Sequence, residues 1–235
     1  VLLGEVAVLQ SLLNVQSLVP GDGHVLVVGD IWIDHQVAPD QSFSSREYLR
    51  HNSAAGLALG LAEAGLAVTL VGFVGDDPTA DIIDDSMASA DVASDLLHIK
   101  SWSTFTSAHE YIGEIADAKL DADGRRVRRH KDERALPIDG MSEYESHLQN
   151  RVERYLGNAS ALVLVDWDLG SIAEPRALIY VARQQGVPSI AIFGSEALAE
   201  RYGDADHRLD LSRRDFAAGI SALKAVLPSS VALRT

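Results

Sequence analysis

The apolar positions of this chain alternate between two periods. Residues 24–28 form a continuous hydrophobic run, His24-Val25-Leu26-Val27-Val28, that ends in Gly29-Asp30. That is the pattern of a strand buried on both faces. Over 52–65 the apolar residues Leu57, Leu59, Leu61 and Ala64 predict a helix that stops at Gly65. Residues 67–71 predict the next buried strand, and 77–90 a helix entered through Asp77-Pro78. Further on, helices predicted over 142–156, 172–186 and 212–226 alternate with strands over 161–165, 188–193 and 231–233. Strands and helices in this rhythm make βαβ units, hence an α/β fold: an open parallel sheet with helices on both faces.

The middle of the chain breaks the rhythm. Residues 104–115 alternate in part, and 119–130 surround Asp121-Ala122-Asp123-Gly124. Asp-Gly between two strand-like runs signals a hairpin, so a β excursion leaves the main sheet here. At the other end, residues 1–19 are apolar-rich but interrupted by Glu5, Gln10, Asn14 and Gln16. They predict an amphipathic helix that packs on this protein or on a partner. The run has neither the flanks of a signal peptide nor the length and apolarity of a membrane span. Pro20-Gly21-Asp22-Gly23 reads as a linker, which sets a boundary at 23 between this appendage and a domain over 24–235.

Charge narrows the partners. With 20 basic and 34 acidic residues the chain carries −14, which argues against nucleic acid and against anionic membrane as broad partners. An anionic ligand stays compatible if a local basic patch focuses it. The one basic run is Arg125, Arg126, Arg128, Arg129, His130 and Lys131. It reads either as an anion or partner patch or as an exposed hairpin whose charges blunt a sheet edge. The absence of cysteine removes disulfides and thiolate chemistry and fits a reducing, cytoplasmic setting. His109, His130 and His207 lack metal-ligand spacing, so no metal site is expected.

An open parallel sheet takes its ligands beyond the carboxyl ends of its strands. The polar groups predicted there are Asp30, Asp34, Asp76, Asp77, Asp166 and Asp168. Each has a plainer reading: Asp30 as a strand-end cap, Asp34 as a solvated loop residue, Asp76-Asp77 as a helix N-cap, and Asp166 and Asp168 as a strand-end loop.

Four stretches, in order, carry a resemblance. Val27-Val28-Gly29-Asp30-Ile31-Trp32-Ile33-Asp34 resembles the opening strand of the ribokinase-like (PfkB) carbohydrate kinases, above all the heptose 7-phosphate kinase half of ADP-heptose synthases. Ala54-Ala55-Gly56-Leu57-Ala58 resembles the helix that follows the family's Gly-Gly motif. Val68 through Gly75-Asp76-Asp77 resembles its second strand and Gly-Asp-Asp. Ala161 through Asp166-Trp167-Asp168-Leu169-Gly170 resembles the heptose kinases' strand ending in Asp-Tyr-x-x-Gly. The resemblance covers about residues 24–235. It implies a central α/β sheet with a small β lid, from segments near 34–50 and 97–131, and dimers built through such lids. It also implies sugar contacts from Asp30, Asp34, Ser53, Gly56 and Asp166.

Departures cluster at the chemistry the family implies. Its sugar-contacting Gly-Gly and asparagine read here as Asn52-Ser53 and Gly56. Its Asp-Pro-Lys falls near Ile192-Phe193-Gly194, without the lysine. Its metal-organising Asn-x-x-Glu falls near Asp210-Leu211-Ser212-Arg213, and its Gly-Ala-Gly-Asp has no counterpart before Thr235. The expectation is therefore a ribokinase-like chain without the family's C-terminal third. It would bind a sugar phosphate or a protein, as a homodimer or hetero-complex, without transferring phosphate and without a cofactor. The other reading is an active carbohydrate kinase using ATP and magnesium, represented here by a fragment or relying on other residues. Phosphoryl transfer is mostly positioning and charge stabilisation, so these departures weigh against it.

Overall fold

The computed structural model describes residues 23–37, 53–100, 102–111, 119–120, 126–132, 141–210, 221 and 223–227. The predicted N-terminal helix and linker through 22, the segment 38–52, residue 101, most of the predicted last helix and the strand over 231–233 lie outside them.

The first strand, β1 (His24–Gly29), is the centre of the molecule. Its apolar run has side chains on both sides: Val25 and Val27 join one core layer, Leu26 and Val28 the other. β1 pairs in parallel with β3 (Val68–Gly75) on one side and β8 (Ala159–Asp166) on the other. With β4 (Ala93–Ile99), β9 (Ser189–Phe193) and β10 (His207–Asp210) they form a six-stranded sheet in the order β10-β9-β8-β1-β3-β4. Helices α1 (Ala54–Glu63) and α2 (Pro78–Ser89) contribute to the first core layer, together with Leu223, Val226 and Leu227. Helices α3 (Met141–Leu156) and α4 (Pro175–Gln184) contribute to the second. Asp95 on β4 ties α3 to the sheet edge, receiving Arg151 Nε at 2.8 Å, Arg154 Nη1 at 3.2 Å and the Tyr155 hydroxyl at 3.2 Å.

A second sheet has the order β2-β5-β7-β6, from β2 (Trp32–Val37), β5 (Phe105–Tyr111), β6 (Lys119–Leu120) and β7 (Arg126–Asp132). β6 and β7 are antiparallel, as the Asp-Gly signal predicts. This is the expected excursion, with one boundary moved. Residues 97–99, assigned to the lid by sequence, complete β4 in the main sheet, where Leu97 packs against the second core layer. Alternation alone does not tell which sheet a strand joins. Sequence reading also missed β10, which has one buried apolar residue, Leu209, in four.

The entry to β5 is pinned to the end of β3 by one carboxylate. Asp77 caps α2, accepting the Ala80 N–H at 3.0 Å, and also accepts the Thr104 N–H at 2.6 Å and the Thr104 hydroxyl at 2.9 Å. Thr104 Oγ1 in turn accepts the Gly75 N–H at 2.8 Å. Burial alone would raise the Asp77 pKa, but the Thr104 and Ala80 bonds outweigh it and hold the carboxyl below its usual range. Asp77→Ala removes a cap worth about 1 kcal/mol and strands the Thr104 N–H. The expected cost is about 2 kcal/mol, read as a urea midpoint shift at unchanged slope. A shift indistinguishable from zero would mean that water replaces the carboxylate there.

Candidate functional site

The connections reverse direction between β1 and β8. From β1 the chain goes outward to β3 and β4, then returns to β8 and proceeds to β9 and β10. Such a switch point opens a crevice at the carboxyl ends of the two strands. The residues that end them are Asp30 and Asp166, just beyond the register pair Gly29 and Val165.

Both carboxylates are buried, and both are fully engaged. Asp30 accepts the backbone N–H of Trp167 at 2.7 Å and of Leu169 at 3.2 Å on Oδ2, and of Ser171 at 3.2 Å on Oδ1. Asp166 accepts the Asp168 N–H at 2.8 Å, the Tyr202 hydroxyl at 2.6 Å and Arg201 Nη1 at 3.1 Å. The loop 167–171 is thus wound around two anions. Its backbone turns through Asp168 at φ 64 and Gly170 at φ 95, where aspartate and glycine are tolerated best. Gly29, at φ 144, lies so close to β8 that a Cβ there would meet the Val165 carbonyl.

Among the described residues one cation serves this pair. Arg201 binds Asp166 and donates Nη2 to the carbonyls of Ile172 and Ala173. Among the described residues Asp30 has no such counterion: burial and then repulsion from Asp166 push its pKa up to about 6 against the bonds from the loop. Burial and Asp166 likewise push the Tyr202 phenol up, so it stays a donor. Tyr202 stacks on Phe193 at the end of β9, with ring centroids 5.9 Å apart.

Above this buried layer two indoles meet. Trp32, the first residue of β2, contacts Trp167 edge to face at 5.8 Å. The Trp167 ring occupies the space beside Gly194, where a Cβ would collide with ring carbons Cε3 and Cζ3. The second sheet therefore begins directly over the switch point.

The predicted site residues separate accordingly. Asp30 and Asp166 come together as a buried pair that orders the loop. Ser53 is the N-cap of α1: its Oγ accepts the Gly56 N–H at 3.1 Å, while the Ala54 N–H binds the Asp30 carbonyl at 2.8 Å. Ser53 and Gly56 thus seat α1 against the end of β1. Asp34 is the third residue of β2, in register with Ser107, and its side chain lies outside the described residues. Asp168 is exposed, 3.9 Å from Arg201. Arg213 is not among the described residues. Sequence reading missed Arg201 and Tyr202, which lie in a turn-rich segment more than thirty residues after Asp166 and belong to no periodic pattern.

No protein-family model matches the chain. Curated relatives do: the bifunctional protein HldE of Marinomonas sp. is 30% identical over 180 residues, 72% of this chain and 35% of that protein. HldE of Ectopseudomonas mendocina is 28% identical over 178 residues. The chain thus spans about a third of the length of the curated relatives it matches. Among solved structures, the fructokinase with bound ATP from Xylella fastidiosa superposes with a TM-score of 0.55 at 18% identity, over 88% of this chain and 68% of that one. Ribokinase from Giardia lamblia does so at 0.52 and 13% identity, over 90% and 66%. One parallel sheet with a core layer on each face, a four-stranded excursion over the switch point and this kinship agree. The chain has the ribokinase-like carbohydrate-kinase fold, and the HldE proteins are its homologues in sequence.

Proposed function

We propose that this chain binds a sugar or sugar phosphate at the switch point between β1 and β8, under the β2-β5-β7-β6 lid, with Asp34 as a ligand contact, and that it does not itself transfer phosphate. The observation that carries the second half is the engagement of both crevice carboxylates. A general base must reach the hydroxyl proton within about 3 Å, directly or through one water. Asp30 and Asp166 are buried and spend their oxygens on loop N–H groups, Tyr202 and Arg201. Kinship to HldE supports a sugar ligand. The same kinship favours a second reading, an ATP-dependent carbohydrate kinase that takes ATP and magnesium through other residues.

Calorimetry with heptose and hexose phosphates and their free sugars tests the binding, and Asp34→Ala is expected to abolish it. Unchanged binding in that variant removes Asp34 from the site. ATP turnover with magnesium and the same sugars is expected to stay at background. Sugar-dependent turnover near the ~1–100 s⁻¹ usual for kinases would establish the second reading instead.

A further inference from the structure

Among the described residues two large hydrophobic side chains stand exposed, Ile82 at 37% and Tyr180 at 61%. They lie on helices of opposite charge. Ile82 is on α2, which carries Asp81, Asp84 and Asp85 and no lysine or arginine. Tyr180 is on α4, which carries Arg176 and Arg183 and no carboxylate. A single exposed hydrophobic residue is ordinary on a protein surface. Two of them, each set among charges of one sign and the signs opposite, make complementary faces.

Helical spacing builds both stripes. On α2 the exposed positions Pro78, Asp81, Ile82 and Asp85 share one side, while Ala80, Ile83 and Met87 are buried. Asp84 meets His98 Nε2 of β4 at 3.2 Å, so Asp81 and Asp85 are the carboxylates that flank Ile82 outward. On α4 the exposed positions Arg176, Tyr180 and Arg183 share one side, while Leu178, Ile179 and Ala182 are buried. Both arginines are tied to Asp204: Arg183 Nη2 donates to its carbonyl, and Arg176 Nε lies 3.8 Å from its carboxylate. Part of the cost of ordering them is therefore met before a partner arrives.

The spacings also match. At a rise of 1.5 Å per residue, Arg176 and Arg183 stand about 6 Å and about 4.5 Å to either side of Tyr180. Asp85 stands about 4.5 Å to one side of Ile82 and Asp81 about 1.5 Å to the other. With the helices antiparallel and Ile82 over Tyr180, Asp85 falls within about 2 Å of Arg176 along the axis, and Asp81 within about 3 Å of Arg183. The two faces cannot meet within one chain, because α2 packs in the first core layer and α4 in the second, on opposite sides of the sheet.

We infer that the Arg176-Tyr180-Arg183 face of α4 docks on the Asp81-Ile82-Asp85 face of α2 in a second copy of this chain. Unlike surfaces meet, so the contact is head to tail, and each added copy offers one free face of either kind. The chain's −14 charge repels copies at a distance. At physiological salt the Debye length is about 8 Å, so the charges at the contact outweigh those beyond it.

The test is sedimentation velocity of the full chain from about 1 µM to about 1 mM, the range that brackets affinities for so small a contact. The mean mass is expected to rise with concentration and to pass that of a dimer. Arg176→Glu with Arg183→Glu, and separately Asp81→Lys with Asp85→Lys, are each expected to stay monomeric, with circular dichroism matching the parent. Mixing these two variants is expected to restore association, because each supplies the charge that the other's reversed face needs. Tyr180→Ser, a single exposed change, is expected to weaken association by about tenfold or more. Glu153→Lys, exposed on α3 away from both stripes, is expected to leave it unchanged. A parent that stays monomeric throughout, a mass that levels off at a dimer, or reversed variants that associate like the parent would overturn the interface. So would a mixture that stays monomeric, or a loss in Glu153→Lys equal to that in Tyr180→Ser.

Discussion

Asp30→Ala should unfold roughly 8–16 °C below the parent chain. Among the described residues the carboxylate is the acceptor for three N–H groups of the loop 167–171, from Trp167, Leu169 and Ser171. A buried donor without a partner costs about 1–3 kcal/mol, so three would cost roughly 3–9 if nothing rearranged. Two effects reduce this. Alanine no longer places a charge beside Asp166, and water can enter part of the space. A net loss of about 4 kcal/mol is the resulting expectation, and a chain of this size loses about 2–4 °C per kcal/mol. Thermal denaturation at pH 5 measures it under conditions where Asp30 is mostly protonated and repulsion contributes least. A drop under 3 °C, with Trp167 fluorescence unchanged, would show that the loop holds itself.

The second large effect is a dependence of stability on pH that runs opposite to ordinary acid denaturation. Asp30 in the fold titrates near 6, above its ordinary 3.8. A carboxyl whose pKa is raised binds its proton more tightly when folded. Its stabilising contribution is fully present below pH 3.8, is lost as pH rises through about 6, and is absent above that. Moving a carboxyl from 3.8 to about 6 corresponds to about 3 kcal/mol. Asp77, held low by its bonds, has the opposite sign and acts only at the acid end, where its contribution is lost as pH falls below 3.8. The parent should therefore lose roughly 2–2.5 kcal/mol of the Asp30 contribution between pH 4 and pH 7 relative to Asp30→Asn, in urea titrations of both. At pH 7 the asparagine variant should be nearly as stable as the parent. It gives up one good N–H contact, worth about 1–3 kcal/mol, but sheds a repulsion of similar size. Parallel pH profiles for the two proteins would refute the assignment of the shift to Asp30.

Much of the architecture was legible in the order of residues. The runs that became β1, β3, β8 and β9 are apolar on both faces because both faces are covered, and continuous hydrophobicity is local information. Asp77-Pro78 announced the start of α2, since a capping carboxylate and a proline at the first turn act within a few residues. The ordered motifs pointed to the ribokinase-like fold because their spacing follows the βαβ units. Asp30 and Asp166 were picked out as polar residues ending buried strands, and the structure puts both at the switch point.

What those residues do was decided by distant contacts. Asp30 looked like a ligand group; three N–H groups some 140 residues away make it the core of a loop. Arg201 and Tyr202 complete that core from a segment with no pattern of its own. Ser53 and Gly56 turned out to be one hydrogen bond of a helix cap. The lid shows the same division most sharply. Sequence delivers the hairpin signal around Asp123-Gly124 but not the pairing of β7 with β5, which sets the order β2-β5-β7-β6 and depends on segments far apart in the chain. Hydrophobic period and capping are determined over a few residues, so the sequence alone determined the elements and their order. Register, counterions and the partners of buried carboxylates depend on chain segments that meet only in the folded state, so only the tertiary structure decided that Asp30 and Asp166 are locked beneath the switch point.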